Sequence, residues 1–248
     1  MKKDNRSEIS ILPAQEARDL LRNLDVRVNV VMLDPWYNRG VGGVRADYND
    51  WLQELVGLAA RCADHIFVWG FPEIIYPVLD RLPTGFTLLA WLTWYYKNCP
   101  SVIRGWRSAQ STCLHLVSEK AKTYPEHFLN EAQNERRRQG KMRYMPGPSS
   151  VLEVPLNIGF VGKNEQTGHP AQKPEKVIEP LIMMSTKPGD TVLDPMCGSG
   201  TTGAVCKRLG RKAILCDISE DYLKITKNRL TGSNGSPTKV SLQELIHF

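Results

Sequence analysis

The sequence of 248 residues lacks any hydrophobic run long enough to cross a bilayer. Its longest strongly apolar stretches, residues 86–94 and 177–184, are too short for a membrane-spanning helix, and the first residues do not contain the apolar core of a signal peptide. Repeats and low-complexity tracts are also absent. We therefore expect one folding unit in a soluble, cytoplasmic protein that has no membrane partner.

The six cysteines lack the spacing of a metal site or a disulfide framework. None stands in a Cys-x-x-Cys pair, and they are not clustered with the five histidines. Reduced thiols and no metal are therefore expected.

Positive charge is concentrated in one part of the chain. Between positions 97 and 143, ten Lys or Arg residues stand against four Glu residues, an excess equal to the net charge of +6 of the whole chain. The arginine run 136–138 alone is typical of a solvated helix face. Its aromatic, Gly and Pro neighbours favour a surface that binds a polyanionic backbone.

Apolar runs typical of buried strands alternate with helical periodicity. The predicted strands are residues 28–33, 65–70, 86–95, 112–118, 191–193 and 213–216. The predicted helices are residues 48–62, a helix within 175–186 that Pro180 would kink or delay, residues 201–209 and a helix that ends at 230. This alternation predicts an α/β fold with a doubly wound, mostly parallel sheet.

A glycine-rich loop joins a short predicted strand to a predicted helix. It reads Asp194-Pro195-Met196-Cys197-Gly198-Ser199-Gly200-Thr201-Thr202-Gly203, and Asp217 ends the next strand. Such glycines let the backbone approach a ligand, and an acidic residue after the second strand suits a ribose diol. The arrangement predicts a site for a nucleoside-containing cofactor, although the glycine spacing alone also fits a tight turn.

A second motif, Asp34-Pro35-Trp36-Tyr37, follows the first predicted strand. Ligands of open α/β sheets bind at the carboxyl ends of strands, so this motif and the glycine loop can face one crevice. Asp-Pro is also a common turn start, and Trp36 and Tyr37 would fit a core as well.

Three motifs together resemble one family, the β-class amino-methyltransferases of DNA, whose motifs occur in a permuted order. Asp34-Pro35-Trp36-Tyr37-Asn38 is similar to the family's Asp-Pro-Pro-Tyr, and His169-Pro170-Ala171-Gln172-Lys173-Pro174 is similar to its His-Pro-Thr-Gln-Lys-Pro. Residues 194–202 match its glycine loop. The resemblance covers residues 28–230 and implies a Rossmann-like methyltransferase fold.

The resemblance also implies the ligands and the site residues. S-adenosyl-L-methionine would be the cofactor, duplex DNA with the target base flipped out would be the partner, and a homodimer is a candidate assembly. The implied catalytic residues are Asp34, Pro35, Trp36 and Tyr37. The implied cofactor-binding residues are His169, Gln172, Lys173, Asp194, Pro195, Met196, Gly198, Gly200, Thr201, Thr202 and Asp217. The candidate DNA-binding residues are Lys97, Arg104, Arg107, Arg136, Arg137, Arg138, Lys141 and Arg143.

The motifs divide the chain into four segments. Residues 1–96 form the catalytic half of the domain, and residues 97–150 form a small inserted target-recognition region. Residues 151–232 form the cofactor-binding half, and residues 233–248 form a tail without an assigned role. The glycines in residues 38–43 predict a mobile loop that closes over the flipped base.

The chemistry explains the need for the Asp34 motif. An exocyclic amine of a base is a poor nucleophile, because its lone pair is delocalised into the ring. The Asp34 carboxylate and the Pro35 carbonyl can each accept one N–H, which aims the lone pair at a sulfonium methyl group. Tyr37 would stack on the flipped base.

Several alternatives stay open at this point. Asp at the first motif position favours adenine N6, whereas the cytosine N4 enzymes usually carry Ser there. Trp36 departs from the family's second proline and leaves the preferred base open. Outside the family, the glycine spacing with Asp217 would also suit a nicotinamide-dependent oxidoreductase, and Trp36 would suit a DNA-binding module with a decayed catalytic site.

Overall fold

The computed structural model describes residues 8–38, 43–99 and 105–232. The strands in chain order are β1 (Ile9–Ile11), β2 (Val30–Leu33), β3 (His65–Gly70), β4 (Phe86–Tyr95), β5 (Gln110–Ser118), β6 (Val151–Glu153), β7 (Thr191–Asp194) and β8 (Lys212–Leu215). The α-helices are α1 (Ala17–Arg22), α2 (Tyr48–Cys62), α3 (Pro72–Ile75), α4 (Glu131–Arg138), α5 (Glu175–Ser185), α6 (Thr201–Leu209) and α7 (Glu220–Thr231). Two 3₁₀ segments, Tyr76–Arg81 and Pro125–Phe128, complete the elements used below.

One sheet holds all eight of these strands, in the order β1-β8-β7-β2-β3-β5-β4-β6. Among them, only β5 runs antiparallel to its neighbours, which are β3 and β4. Every residue of β2 and of β3 is buried, as expected for parallel strands that are covered on both faces. The predicted mostly parallel sheet is confirmed.

Two hydrophobic clusters cover opposite faces of the sheet, and the side chains of β2 alternate between them. Val31 and Leu33 pack with residues of α1 and α2. Val30 and Met32 pack with residues of α5, α6 and α7. Successive side chains of a strand point to opposite faces, so this alternation makes the sheet doubly wound, as predicted.

The pairing of β2 with β7 matters most for function. Val30 pairs with Val192 and Val31 with Leu193, and the strands are parallel. Their carboxyl ends therefore lie side by side at one edge, where β2 leads into Asp34 and β7 ends at Asp194. Two motifs far apart in sequence thus meet at this edge.

One sequence-based expectation needs correction. Residues 97–150 were expected to form an insert, but β5 lies inside that range and pairs with β3 and β4 along its length. The positively charged region therefore consists of separate segments before and after a sheet strand. The structure also excludes one of the two effects expected of Pro180: α5 begins at Glu175 and continues through Pro180, so the helix does not start late.

Some predicted features lie outside the described residues. They are positions 39–42 of the predicted mobile loop, Arg104 and the tail 233–248. Within residues 8–38, 43–99 and 105–232, no helix combines the length and the apolar content needed to span a bilayer.

Two buried histidines, one on β3 and one on β5, contact each other. His65 Nδ1 lies 3.0 Å from His115 Nε2, and His65 Nε2 lies 3.1 Å from the Lys122 carbonyl oxygen. A carbonyl only accepts, so His65 Nε2–H donates to it and His65 Nδ1 accepts from His115. Burial lowers the pKa of His65, and burial next to His65 lowers the pKa of His115 to about 3.

This pair predicts how stability depends on pH. Below the ordinary histidine pKa of about 6.5, the unfolded chain binds protons that the folded protein does not accept. We expect the free energy of unfolding to fall, by up to about 1.4 kcal/mol per pH unit and histidine, as the pH drops from 6.5 toward 5. Urea titrations should show a weaker dependence for the His65→Gln/His115→Gln variant. Equal slopes for the two proteins would contradict the prediction.

Candidate active site

A cavity of about 890 Å³ opens where β2 and β7 end. Both motifs predicted to face one crevice line it. Its lining includes Asp34, Pro35, Trp36 and Tyr37, together with His169, Gln172, Lys173, Asp194, Pro195, Met196, Gly198, Thr201, Thr202 and Asp217. Gly200 lies outside this lining, because its Cα faces Thr226 of α7, where an added Cβ would lie 2.9 Å from the threonine side chain.

The Lys173 ammonium lies on the Asp34 carboxylate. Lys173 Nζ is 2.5 Å from one carboxylate oxygen and 2.6 Å from the other, and it also donates to the Tyr37 hydroxyl at 2.9 Å. The side chain of Lys173 is 6% exposed and that of Asp34 is 24% exposed. The family resemblance assigned Lys173 to cofactor binding, which stays a prediction, and the structure shows its ammonium on the Asp34 carboxylate.

Electrostatics keep Lys173 charged in this buried position. Burial alone lowers its pKa, but the attraction and hydrogen bonds of Asp34 and Tyr37 outweigh burial and raise the pKa above its usual value. The ammonium also lies 4.7 Å from the centroid of the Trp69 ring, a favourable cation–π distance.

Tyr37 is fixed from several directions. Its hydroxyl lies 3.1 Å from Ser111 Oγ on β5, and its ring meets Phe71 edge to face at 4.7 Å. Burial raises the pKa of Tyr37, with Lys173 acting in the opposite direction, so the phenol is neutral at physiological pH. A fixed neutral ring beside the cavity suits stacking on a planar ligand.

Trp36 is held on the opposite side of the motif by α2. Its ring packs on Trp51 at 5.0 Å and meets Tyr48 edge to face at 5.4 Å. Its Nε1–H donates to the Gly43 carbonyl at 3.1 Å, and the Tyr48 hydroxyl donates to the Trp36 carbonyl at 2.6 Å. The ring that replaces the family's second proline is therefore anchored to a helix while it lines the cavity.

The glycine loop is closed by Asp217. The Gly198 N–H donates to one Asp217 oxygen at 2.9 Å, and the Ser219 N–H donates to the other at 2.9 Å. Gly198 has a φ of +48°, in the left-handed region that favours glycine. Burial raises the pKa of Asp217, while these two backbone hydrogen bonds oppose the rise.

Asp194 is buried at the start of the loop. It accepts the Thr202 hydroxyl at 2.6 Å and the Met196 N–H at 3.2 Å. Burial raises its pKa to about 7, with the Thr202 hydrogen bond acting in the opposite direction. A cationic ligand group nearby would stabilise the ionised form of this carboxyl.

The glycine loop contacts the turn formed by residues 169–174, here called the Lys173 turn. The Thr201 hydroxyl donates to the Lys173 carbonyl at 2.9 Å and accepts from the Arg229 guanidinium at 2.9 Å. Arg229 also donates to Glu175 at 3.1 Å. Lys173 therefore contacts Asp34 through its side chain and the glycine loop through its backbone.

The other polar residues of the Lys173 turn mostly serve the turn itself. Gln172 accepts from the Thr167 N–H at 3.0 Å and donates to the Glu165 carbonyl at 2.6 Å. His169 packs its ring against Gly198 and meets Tyr222 edge to face at 4.3 Å. Burial lowers the pKa of His169 to about 4, so its ring is neutral.

Ser111 and Glu16 are among the polar residues of the cavity that the sequence did not predict. Ser111 lies in β5, and its hydroxyl continues the hydrogen-bond chain from Tyr37. Glu16 caps the start of α1, accepts from the Arg18 N–H at 2.8 Å and from Trp51 Nε1 at 3.1 Å, and lines the cavity. Of these two residues, only Glu16 has a feature that is visible in the sequence, because it is an acidic residue directly ahead of a short helix.

The candidate DNA-binding residues lie at the surface. Lys97 forms an ion pair with Glu153 at 2.5 Å, and Arg138 pairs with Glu135 at 2.8 Å on α4. Every residue of α4 is at least partly exposed. Seven of the eight candidates lie among the described residues, and all seven are exposed. They are Lys97, Arg107, Arg136, Arg137, Arg138, Lys141 and Arg143. Their contact with DNA stays a prediction.

Comparison with known proteins identifies the family. Residues 28–228 match the family model described as DNA methylase, of the N6/N4 type. The chain belongs to this DNA methylase family. Its motif order and its sheet agree with the predicted β class and Rossmann-like methyltransferase fold. Members of this family use S-adenosylmethionine as the methyl donor.

Individual relatives cover most of the chain. The type II methyltransferase M.HpaI of Haemophilus parainfluenzae is 31% identical over 225 residues, which are 85% of this chain and 70% of M.HpaI. The DNA adenine methyltransferase YhdJ of Escherichia coli strain K12 is 28% identical over 226 residues, which are 82% of this chain and 76% of YhdJ. The crystal structure of the M1.HpyAVI–SAM complex has a TM-score of 0.68 and 26% identity, and the match covers 90% of this chain and 98% of that chain.

Gly198 provides a test of the glycine loop of this DNA methylase. An alanine Cβ at position 198 would lie 2.9 Å from His169 Nε2, whereas one at Gly210, whose φ is +72°, would meet nothing within 4 Å. Both Gly198→Ala and Gly210→Ala should lose roughly 1–2 kcal/mol of stability through left-handed strain. Calorimetry should show at least about tenfold weaker S-adenosylmethionine binding for Gly198→Ala only. Equal affinities for the two variants would sink this assignment.

Proposed function

We propose that this protein transfers a methyl group from S-adenosylmethionine to the exocyclic N6 of adenine in DNA. The observation that carries the proposal is the shared cavity, in which the Asp34 motif and the Gly198 loop face the same space. A methyl donor held by the loop would then lie within reach of an amine held by Asp34.

The reaction needs an amine that presents its lone pair. Asp34 accepts one N–H and the Pro35 carbonyl accepts the other, which draws the nitrogen toward a pyramidal geometry. S-adenosylmethionine supplies an electrophilic methyl group on a cationic sulfur. With the donor bound, the N–C bond would form as the C–S bond breaks, the sulfur would leave as a neutral thioether, and the nitrogen would pass one proton to solvent along the Asp34 hydrogen bond. Tyr37 stacks on the base, which must leave the duplex to reach the cavity.

Lys173 acts as a positioning residue for Asp34. An ionised carboxylate has about four lone-pair sites, so the two contacts of Lys173 Nζ leave acceptor capacity for the substrate amine. The ammonium fixes the carboxylate rotamer and balances its charge in this largely buried position.

The cofactor loop offers groups that complement the donor. Asp194, whose pKa of about 7 lies close to physiological pH, would ionise fully beside the cationic methionine part. Asp217 would accept from the ribose hydroxyls with the lone pairs that the Gly198 and Ser219 amides leave open.

Two observations favour adenine over cytosine. The motif begins with Asp34 rather than Ser, and YhdJ, a relative of 28% identity, is named as an adenine methyltransferase.

Trp36 stands where the family has proline. Its ring packs on Tyr48 and Trp51 of α2, so the fold accommodates a tryptophan at this position.

The decisive experiment combines methylome sequencing with mass spectrometry of nucleosides from cells that express the protein. We expect N6-methyladenine at a defined site, and at least about a hundredfold loss of methyl transfer for Asp34→Ala with unchanged cofactor binding. Asp221→Ala, which removes an exposed carboxylate that pairs with Lys224 on α7, is the matched control. N4-methylcytosine would replace adenine as the target. Full activity of Asp34→Ala, or no methylation by the native protein, would overturn the proposal.

A double-mutant cycle tests the Lys173 ion pair. Lys173→Met and Asp34→Asn should each destabilise the fold, by about 3–5 kcal/mol where an uncompensated charge stays buried, and the double variant should lose less than the sum. Lys173→Met should lower kcat more than it raises the KM for the cofactor. Additive losses in urea unfolding would show that the two side chains do not act as a pair.

A further inference from the structure

Two aromatic side chains that stand almost fully in solvent belong to segments that also line the cavity. Trp106 is 94% exposed and Phe160 is 93% exposed, the two highest values among the large hydrophobic residues that the structure describes as exposed. Each lies within two positions of a cavity-lining residue, Ser108 for Trp106 and Gly159 for Phe160. Both rings therefore belong to loops that form the rim of the active site.

The two rim loops are tied to each other. The Asn98 side chain donates to the Leu156 carbonyl at 2.9 Å and accepts the Leu156 N–H at 2.8 Å. The Cys99 thiol, next along the chain, lies 3.0 Å from the Ser108 carbonyl. Leu156, Cys99 and Ser108 all line the cavity, so the loop of Trp106 and the loop of Phe160 share one hydrogen-bonded base.

The loop that carries Phe160 is built to present it. Gln166 donates to the Gly159 carbonyl at 3.0 Å and to the Val161 carbonyl at 2.8 Å, which holds the backbone on both sides of the ring. Gly162 has a φ of +62°, and a Cβ there would lie 2.0 Å from the Asn157 side chain. Because this fixed loop leaves the ring of Phe160 in water, burial of the ring does not contribute to the stability of the monomer.

Charge next to the rings favours a nucleic acid as the occupant of this rim. Arg107 follows Trp106, and Lys163 follows Phe160 by three positions, and both cations are exposed. Aromatic rings stack on bases, apolar side chains insert between base steps, and nearby cations contact phosphates.

We propose that Phe160 and Trp106 stack against the bases of the DNA duplex next to the target nucleotide. This inference rests on the proposed function, because the target base must leave the helix to reach Asp34. The two rings would then take over stacking that the flipped base gives up, which lowers the free-energy cost of flipping.

The test uses the full chain and duplexes that carry the methylation site found by methylome sequencing. In one duplex the target base is paired, and in the other it stands opposite an abasic residue, which makes flipping easier. Phe160→Ala and Trp106→Ala should lower kcat/KM roughly tenfold on the paired duplex and much less on the abasic one. Phe160→Leu should keep part of the activity, since an aliphatic wedge can also insert.

Two controls separate this inference from other failures. Tyr76→Ala removes an aromatic ring that is 56% exposed and lies on the segment Tyr76–Arg81, away from the cavity lining, and should leave both rates unchanged. Calorimetry with S-adenosylmethionine should show native affinity for Phe160→Ala and Trp106→Ala. Equal losses on the two duplexes, or no loss on the paired duplex, would overturn the role of the rings. If the native protein methylates neither duplex, the proposed function itself fails before the variants are compared.

Discussion

The pairing of β2 with β7 is the constraint on which the site depends. Neighbouring strands of a sheet lie about 4.8 Å apart, so residues that follow two paired parallel strands must share an edge. Val31 opposite Leu193 fixes that register, and it puts Asp34 and Asp194 at the same edge despite the 160 positions that separate them in sequence. The permuted order of motifs has no effect on the cavity, because the sheet determines which strand ends are neighbours.

The second determinant is a buried charge pair that joins two functions. Removing two charges from water is costly, and the attraction between Lys173 and Asp34 must offset that cost together with the Tyr37 hydroxyl and the Trp69 ring. Lys173 also accepts Thr201 through its carbonyl. Lys173 therefore contacts the Asp34 carboxylate through its side chain and the glycine loop through its backbone, so the two motifs of the proposed reaction are joined by one residue.

Much of this fold could be predicted from sequence, for identifiable reasons. The strand β3 and the helices α2 and α6 lie at their predicted positions, because uninterrupted apolar runs and a helical period mark them clearly. The three-residue strands β1 and β6 are too short to show a period, and α4 is polar on all sides. β5 was recognised as a strand, yet the charge around it led to its inclusion in an insert.

The candidate site could also be predicted only in part from the sequence. The motifs were visible in sequence because their residues are contiguous, and their meeting at one edge followed from the parallel sheet. The partner of Lys173 was not visible, because 139 positions separate it from Asp34 and no local pattern encodes a contact over that distance. Ser111 was missed for the same reason, since a serine in a strand has no periodic signature.

The burial of His169 has a consequence for cofactor selection. Its ring rests on Gly198 and stays uncharged down to a pH of about 4. The sulfonium donor is a cation and its demethylated product is not, so a protonated imidazole beside the loop would repel the donor and spare the product. A ring that is neutral at physiological pH adds no such repulsion beside the glycine loop.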